Sequence, residues 1–185
     1  MKVRMRILLA AALGLMLAAS SGWAGETDDA GREYAVKAAF IRQFTRYVDW
    51  PEGAFTSPTD PIILGVLGEN PFGTALEQMA AGAGSDARGI SIKYYRTIEE
   101  WEPCHVLFIC ASETKDMDKI LDKTRNLPVL LIGDSPGLAE KGAIINLLIE
   151  DNKVRFEVNS EAARQAHLRI SSKLLRLAKL VGQPR

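Results

Sequence analysis

Residues 104–133, CHVLFICASETKDMDKILDKTRNLPVLLIG, decide the architecture. Val106–Ile109 and Val129–Ile132 are apolar runs too short for helices, and neither alternates with polar residues. A strand that reads as an unbroken hydrophobe is buried on both faces, as in a parallel sheet covered by helices. Between the two runs, Ser112 to Arg125 carries Met117, Ile120 and Leu121 at helical spacing. That helix supplies the long crossover which two parallel strands require. The unit is strand, helix, strand.

The same rhythm extends upstream. PIILGVLG (residues 61–68) is a branched, apolar strand that ends at Asn70-Pro71, where Asn can cap a helix and Pro can occupy its first position, giving a helix to about Ala81. GAGSDARG (82–89) is a turn, ISIKYY (90–95) a second strand, and TIEEWEP (97–103) a helical turn leading into the strand at Val106. Ahead of them, Val36, Phe40, Phe44 and Tyr47 recur at steps of four and three within Arg32–Asp49, which predicts an amphipathic helix stopped at Trp50-Pro51.

Downstream, AIINLLI (143–149) and VRFEV (154–158) are joined by only four residues, Glu150 to Lys153. So short a link excludes a parallel crossover and requires an antiparallel hairpin. From Ser160 to Val181, the residues Ala163, Ala166, Ile170, Leu174, Leu177 and Val181 make one stripe of a long helix. The expected fold is a doubly wound, single-domain three-layer α/β sandwich over residues 25–185, with a mixed, mostly parallel sheet ending in a β-hairpin and a long C-terminal helix.

The first 24 residues read as a signal peptide: Lys2, Arg4 and Arg6 precede a 13-residue apolar run, Ile7–Ala19, and a Gly22-x-Ala24 cleavage pair. That run is shorter than the ~20 residues needed to span a bilayer. No cysteine stands near the cleavage site to carry a lipid, so the expectation is an exported, unlipidated periplasmic protein that does not span the membrane. Once the leader is removed, 20 basic side chains face 23 acidic ones, a net charge of −3 that disfavours nucleic acid as a partner. Two cysteines and two histidines lack zinc-site spacing, so neither a metal nor a cofactor is expected.

Cys104 and Cys110 bracket one extended segment. Six steps of ~3.3 Å place them ~20 Å apart, whereas a disulfide allows Cα atoms only about 4.4–6.8 Å apart. They are not expected to bond to each other. Gly133-Asp134-Ser135-Pro136-Gly137 matches the G-x-S-x-G elbow of hydrolases, with Asp151 and His167 in the matching chain order. The elbow needs a helix directly after its serine, however, and Pro136-Gly137 gives a turn. Arg164 also stands where a GDS-type hydrolase places an Asp three residues before its His. No catalytic constellation is assigned.

A doubly wound sheet holds ligands at the carboxyl ends of its parallel strands, which here nominates Asn70, Ser112, Asp134 and Ser135 as a candidate crevice. Arg169, Lys173 and Arg176, at spacings of four and three, form a basic stripe on the predicted C-terminal helix. Such a stripe is either a solvated face or a docking surface for an acidic protein or anionic headgroups. Leu168 and Leu175, off the core stripe, favour an interface.

YAVKAAFIRQFTRYVDWP (34–51), CHVLFI (104–109) and VRFEVNSEAARQAHLRISSKLLRLAKLV (154–181) together resemble the YfiR family of periplasmic proteins. The resemblance covers about Tyr34 to Val181. It implies a non-enzymatic repressor that binds the periplasmic sensor domain of an inner-membrane diguanylate cyclase, or of a comparable signalling protein such as a sensor kinase, and so lowers cyclic di-GMP and biofilm formation. A homodimer is compatible with it. The chain departs from redox-controlled members of that family, which carry further cysteines. The alternative from another class is a periplasmic small-molecule-binding module using the crevice.

Overall fold

The computed structural model describes residues 24–82 and 88–182, with side chains from Asp29 onward. Nearly all of the predicted signal peptide, residues 1–23, and the centre of the glycine-rich turn, residues 83–87, lie outside the described residues. A 22-residue helix, α1 (Ala24–Thr45), leads into a two-residue strand, β1 (Val48–Asp49). Then follow β2 (Ile62–Leu67), α2 (Ala75–Ala81), β3 (Ile90–Tyr95), a 3₁₀ turn (Ile98–Glu100) and β4 (Val106–Ile109). A second 3₁₀ turn (Ala111–Asp116), α3 (Met117–Thr124), β5 (Leu130–Gly133), β6 (Ile145–Glu150) and β7 (Lys153–Asn159) continue the chain. The described chain ends with α4 (Ser160–Gln165), β8 (Arg169–Ile170), α5 (Ser172–Leu175) and β9 (Lys179–Val181).

The main sheet has seven strands in the order β3-β2-β4-β5-β6-β7-β9. From β3 to β6 all neighbours are parallel; β7 runs antiparallel to β6, and β9 is parallel to β7. The sheet is therefore mixed and mostly parallel, as the sequence predicts. The hairpin turn has just two residues, Asp151 and Asn152, both with positive φ (50° and 59°). This is the backbone of a type I′ turn, whose twist matches the strands it joins, and Asp and Asn tolerate it well.

Each uninterrupted apolar strand is used on both sides. Ile62, Leu64, Val66, Val106, Phe108, Leu130, Ile132, Ile145 and Leu147 pack towards Ala38, Ile41 and Phe44 of α1 and Leu76 of α2. The alternate residues Leu67, Leu107, Ile109 and Leu131 pack towards Ile98, Met117, Ile120 and Leu138. Two separate cores thus sandwich one sheet. Gly133 stands at a close approach, where a Cβ would collide with the Leu138 side chain.

Several boundaries differ from the sequence reading. The first helix stops at Thr45, because Val48 and Asp49 leave it to pair with Ile170 and Arg169. Its inward face runs through Ala38, Ile41 and Phe44, and Val36 is 44% exposed. The helix expected from Asn70-Pro71 begins only at Ala75: Asn70 Oδ1 accepts from the Phe72 N–H, and Gly73 (φ 54°) breaks the path. The helix expected from Ser112 opens as a 3₁₀ turn.

The largest correction concerns the C-terminus, where no long helix forms. Asn159, not Ser160, caps α4 through its side chain. The chain then turns through His167, a non-glycine residue at φ 56°. Ser171 caps the four-residue α5, its side chain accepting from the Lys173 N–H. Arg169–Ile170 and Lys179–Val181 are drawn into strands by β1 and β7. Tertiary pairing overrides helix propensity, which is worth only tenths of a kcal/mol per residue. Leu168, off the predicted stripe, is buried, whereas Leu177, on it, is 76% exposed.

The turn at His167 gives a test with opposite signs. In a helix interior His167→Gly would cost up to about 1 kcal/mol. At a left-handed position the same change relieves a strain of about 1–2 kcal/mol, offset in part by the entropy of glycine. The expected outcome is unchanged or slightly increased stability in urea unfolding; a loss near 1 kcal/mol contradicts the turn.

Candidate functional site

The connection from β2 goes to β3 on one side, and the connection from β3 returns past β2 to β4 on the other. This is the topological switch, so the crevice lies at the carboxyl ends of β2, β4 and β5. Gly68 (φ 98°) closes β2 against the Ser112 side chain, leaving no room for a Cβ. Ser112 Oγ accepts from the Glu69 N–H (3.0 Å), and Asn70 Oδ1 from the Phe72 N–H (2.9 Å). These two predicted residues spend their side chains on the local backbone. Ser135 sits in the turn after β5, its carbonyl accepting from the Leu138 N–H.

Asp134 has a different role. Its side chain is only 5% exposed, and Oδ2 accepts both from Lys37 Nζ (2.8 Å) and from the Tyr34 hydroxyl (2.9 Å). Lys37 also pairs with Glu33 one turn earlier (2.5 Å). The ammonium lies 4.4 Å from the centre of the Tyr34 ring, and that ring meets Phe72 edge-on at 5.1 Å. Phe72 in turn packs edge-on against Phe108 of β4. Burial, then the Asp134 charge, raise the Tyr34 hydroxyl well above the usual phenol range, so it stays protonated as a donor. The crevice is thus filled by side chains of α1.

Tyr34 and Lys37 were not singled out in the sequence. The available signal is their spacing: Tyr34, Lys37, Ile41 and Phe44 lie on one helix face, which places one cation among buried positions. A buried lysine requires an anionic partner.

Cys110, buried beneath the crevice, belongs to the α1 side of the sheet, and Cys104 to the opposite side. Both are free thiols. Burial pushes Cys110 up to about 12, with Asp134 adding to it, and Cys104 up to about 11. Asp151 occupies the hairpin turn and His167 follows α4, and no hydrogen bond links either to Ser135 among the described residues. No cluster of potential metal ligands occurs among the described residues.

At the amino end of β4 lies a second structural lock. His105 Nδ1 accepts from the Ile63 N–H (3.0 Å), which places the ring proton on Nε2, 2.9 Å from the Ala54 carbonyl that receives it. The Phe55 ring stacks on His105 at 4.3 Å, and the Arg88 guanidinium covers the other face of Phe55 at 4.0 Å. Arg88 also donates to the carbonyls of Ser57 and Asp60, so the proline-rich loop is stitched to the sheet.

The three predicted docking cations are all exposed, but no common helix carries them: Arg169 lies in β8, Lys173 in α5 and Arg176 in the turn after it.

Comparison with known proteins adds three findings. The family model described as YfiR/HmsC-like matches residues 34–179. No curated protein sequence matches the chain. Among solved structures, an ABC domain in complex with L-Trp from Streptococcus pneumonia is similar in fold, with TM-score 0.55 and 9% identity over 80% of this chain and 60% of that one. A conserved domain protein from Vibrio cholerae gives TM-score 0.53 and 13% identity over the same shares. The chain thus spans about 60% of the length of these structures, and at such identities they speak to fold alone.

Two outcomes follow from the crevice. Lys37→Met, which leaves Asp134 buried without its cation, should cost about 3–5 kcal/mol in urea unfolding, and adding Asp134→Leu should recover most of that loss. A cost below about 1 kcal/mol for the single variant would show that the pair is not buried. Secondly, with both thiols raised, the unfolded chain releases these protons first as pH rises. Stability attributable to them therefore falls above about pH 8.5, and iodoacetamide at neutral pH should label Cys104 and Cys110 only after denaturation.

Proposed function

The chain belongs to the YfiR/HmsC-like family, and on that premise we propose that it is a periplasmic, non-enzymatic regulator that binds the periplasmic part of an inner-membrane signalling protein. The partner is a diguanylate cyclase, or a sensor kinase of similar build, and binding lowers cyclic di-GMP output. The observation that carries this reading is the family match, which runs from within α1 to the first residue of β9. The export signal read in the sequence supports the compartment. Among the described residues no helix is long and apolar enough to cross a membrane.

The crevice supports the same reading over the ligand-binding alternative. A small molecule at the carboxyl ends of the strands would have to displace Tyr34 and Lys37 from Asp134, breaking a buried ion pair and a hydrogen bond at once. A ligand in this crevice is the runner-up reading, and it requires Tyr34 and Lys37 of α1 to move. The regulatory reading needs no such opening.

Deletion of the gene should raise cyclic di-GMP and biofilm mass in the parent bacterium, and the purified protein should co-purify with the periplasmic domain of a membrane cyclase. Unchanged cyclic di-GMP and biofilm in the deletion strain overturn the proposal. A thermal-shift screen separates the alternative, since a ligand at a hundred times its Kd adds about 2.7 kcal/mol of apparent stability.

A further inference from the structure

The segment Arg169–Val181 contains four cations and no acid. Two of the four have a nearby negative charge: Lys179 pairs with the buried carboxylate of Glu157 (2.9 Å), and Arg169 stands opposite Asp49 in the β1–β8 ribbon. Lys173 and Arg176 are exposed and make no ion pair among the described residues. The Arg176 N–H donates to the Ser172 carbonyl (3.2 Å) and the Leu177 N–H to the Leu174 carbonyl (3.0 Å), so α5 continues as a turn through Leu177. At this helical spacing Lys173, Arg176 and Leu177 lie away from Leu174, Leu175 and Ala178, which pack on the core. Leu177 is 76% exposed, the most exposed large hydrophobic residue described, and Leu180 in the edge strand is 44% exposed.

We propose that this segment, where unpaired Lys173 and Arg176 flank the exposed Leu177, adsorbs weakly and reversibly to a bilayer surface rich in anionic lipid. The charge complementarity selects an anionic partner. The exposed leucine selects a bilayer over an acidic protein surface, because the boundary between headgroups and acyl chains accepts a leucine while lysine and arginine stems keep their charges among the phosphates. The body of the protein carries net negative charge, so adsorption is local to this segment and sensitive to salt. The proposal goes beyond the regulatory reading and stands apart from it, since no partner protein takes part in its test.

The test uses the chain from Gly25 onward, so that the apolar run Ile7–Ala19 cannot contribute; both cores and every described strand lie within that length. The protein is floated with vesicles of phosphatidylglycerol and phosphatidylcholine, or of phosphatidylcholine alone, at about 0.05 M and about 0.5 M salt. Expected are binding to the phosphatidylglycerol vesicles at low salt, its loss at high salt, and no binding to phosphatidylcholine. Lys173→Glu with Arg176→Glu should lower partitioning roughly twentyfold or more, and Leu177→Ser roughly fivefold. Circular dichroism checks folding, and Lys173→Gln with Arg176→Gln replaces the charge reversal if that variant fails to fold. Absence of vesicle binding at low salt, or equal binding by folded variants, overturns the proposal. So does retention on immobilised polyaspartate without vesicle binding, which would assign the surface to an acidic protein instead.

Discussion

The central parallel strands β2, β4 and β5, whose side chains are apolar on both faces, cannot leave either face in water. Burial on this scale stabilises at about 25 cal/mol per Å² of apolar surface, and the chain must supply two covers for it. On one side α1 does most of this, running across the sheet with Ala38, Ile41 and Phe44 inward, and Phe44 meeting Phe156 of β7 at 5.1 Å. On the other side the cover is assembled from short pieces, the first 3₁₀ turn with Ile98, α3 and the loop that carries Leu138. The position of α1 then determines what happens at the crevice, since the helix that covers the sheet also brings Tyr34 and Lys37 over the carboxyl ends of the strands.

A lysine and an aspartate, both almost out of water, add little net stability, because desolvation consumes most of the attraction between them. An apolar pair of similar volume would hold the helix as firmly, but it would tolerate many rotations of α1 about its axis. The ion pair with its shared tyrosine admits one geometry. Glu33, Tyr34 and Lys37 lie midway along α1, and this constraint at the carboxyl ends of the strands complements the stitching of the proline-rich loop by His105 and Arg88 at the amino end of β4. Helix and loop are pinned at opposite ends of the strands.

The parallel strands were legible because their composition is dictated by the surroundings of a covered sheet. Val106–Ile109 and the run ending at Ile132 have no polar face to offer, and a four-residue link at Glu150–Lys153 leaves only a hairpin. The stripe of α1 was displaced because Val36 and Phe40 are as apolar as Ala38 and Ile41, and hydrophobicity alone does not rank two adjacent faces. Lys37 would have ranked them in reverse: a cation suggests an outward face, and only its partner nearly a hundred residues away makes the inward face affordable. Asp134 was nominated through topology, from its place at a strand end, whereas Asn70 and Ser112 share that place but serve the backbone around them.

The C-terminal segment failed to read correctly for a related reason. Its apolar residues fit a helical period, but Arg169–Ile170 can hydrogen-bond to β1 and Lys179–Val181 to the free edge of β7, and each pairing satisfies backbone groups that a helix would satisfy only internally. A three-residue strand closes the edge of β7 with a lysine-bearing cap, a usual way to blunt an edge against unwanted pairing. Breaking the helix also separates the two leucines that a continuous stripe would have buried together: Leu174 remains in the core and Leu177 turns out to solvent beside Lys173 and Arg176. The amphipathic contrast at this corner is therefore a product of strand pairing. It arises in the connection between β8 and β9, and the residues left outside there are two cations and a leucine.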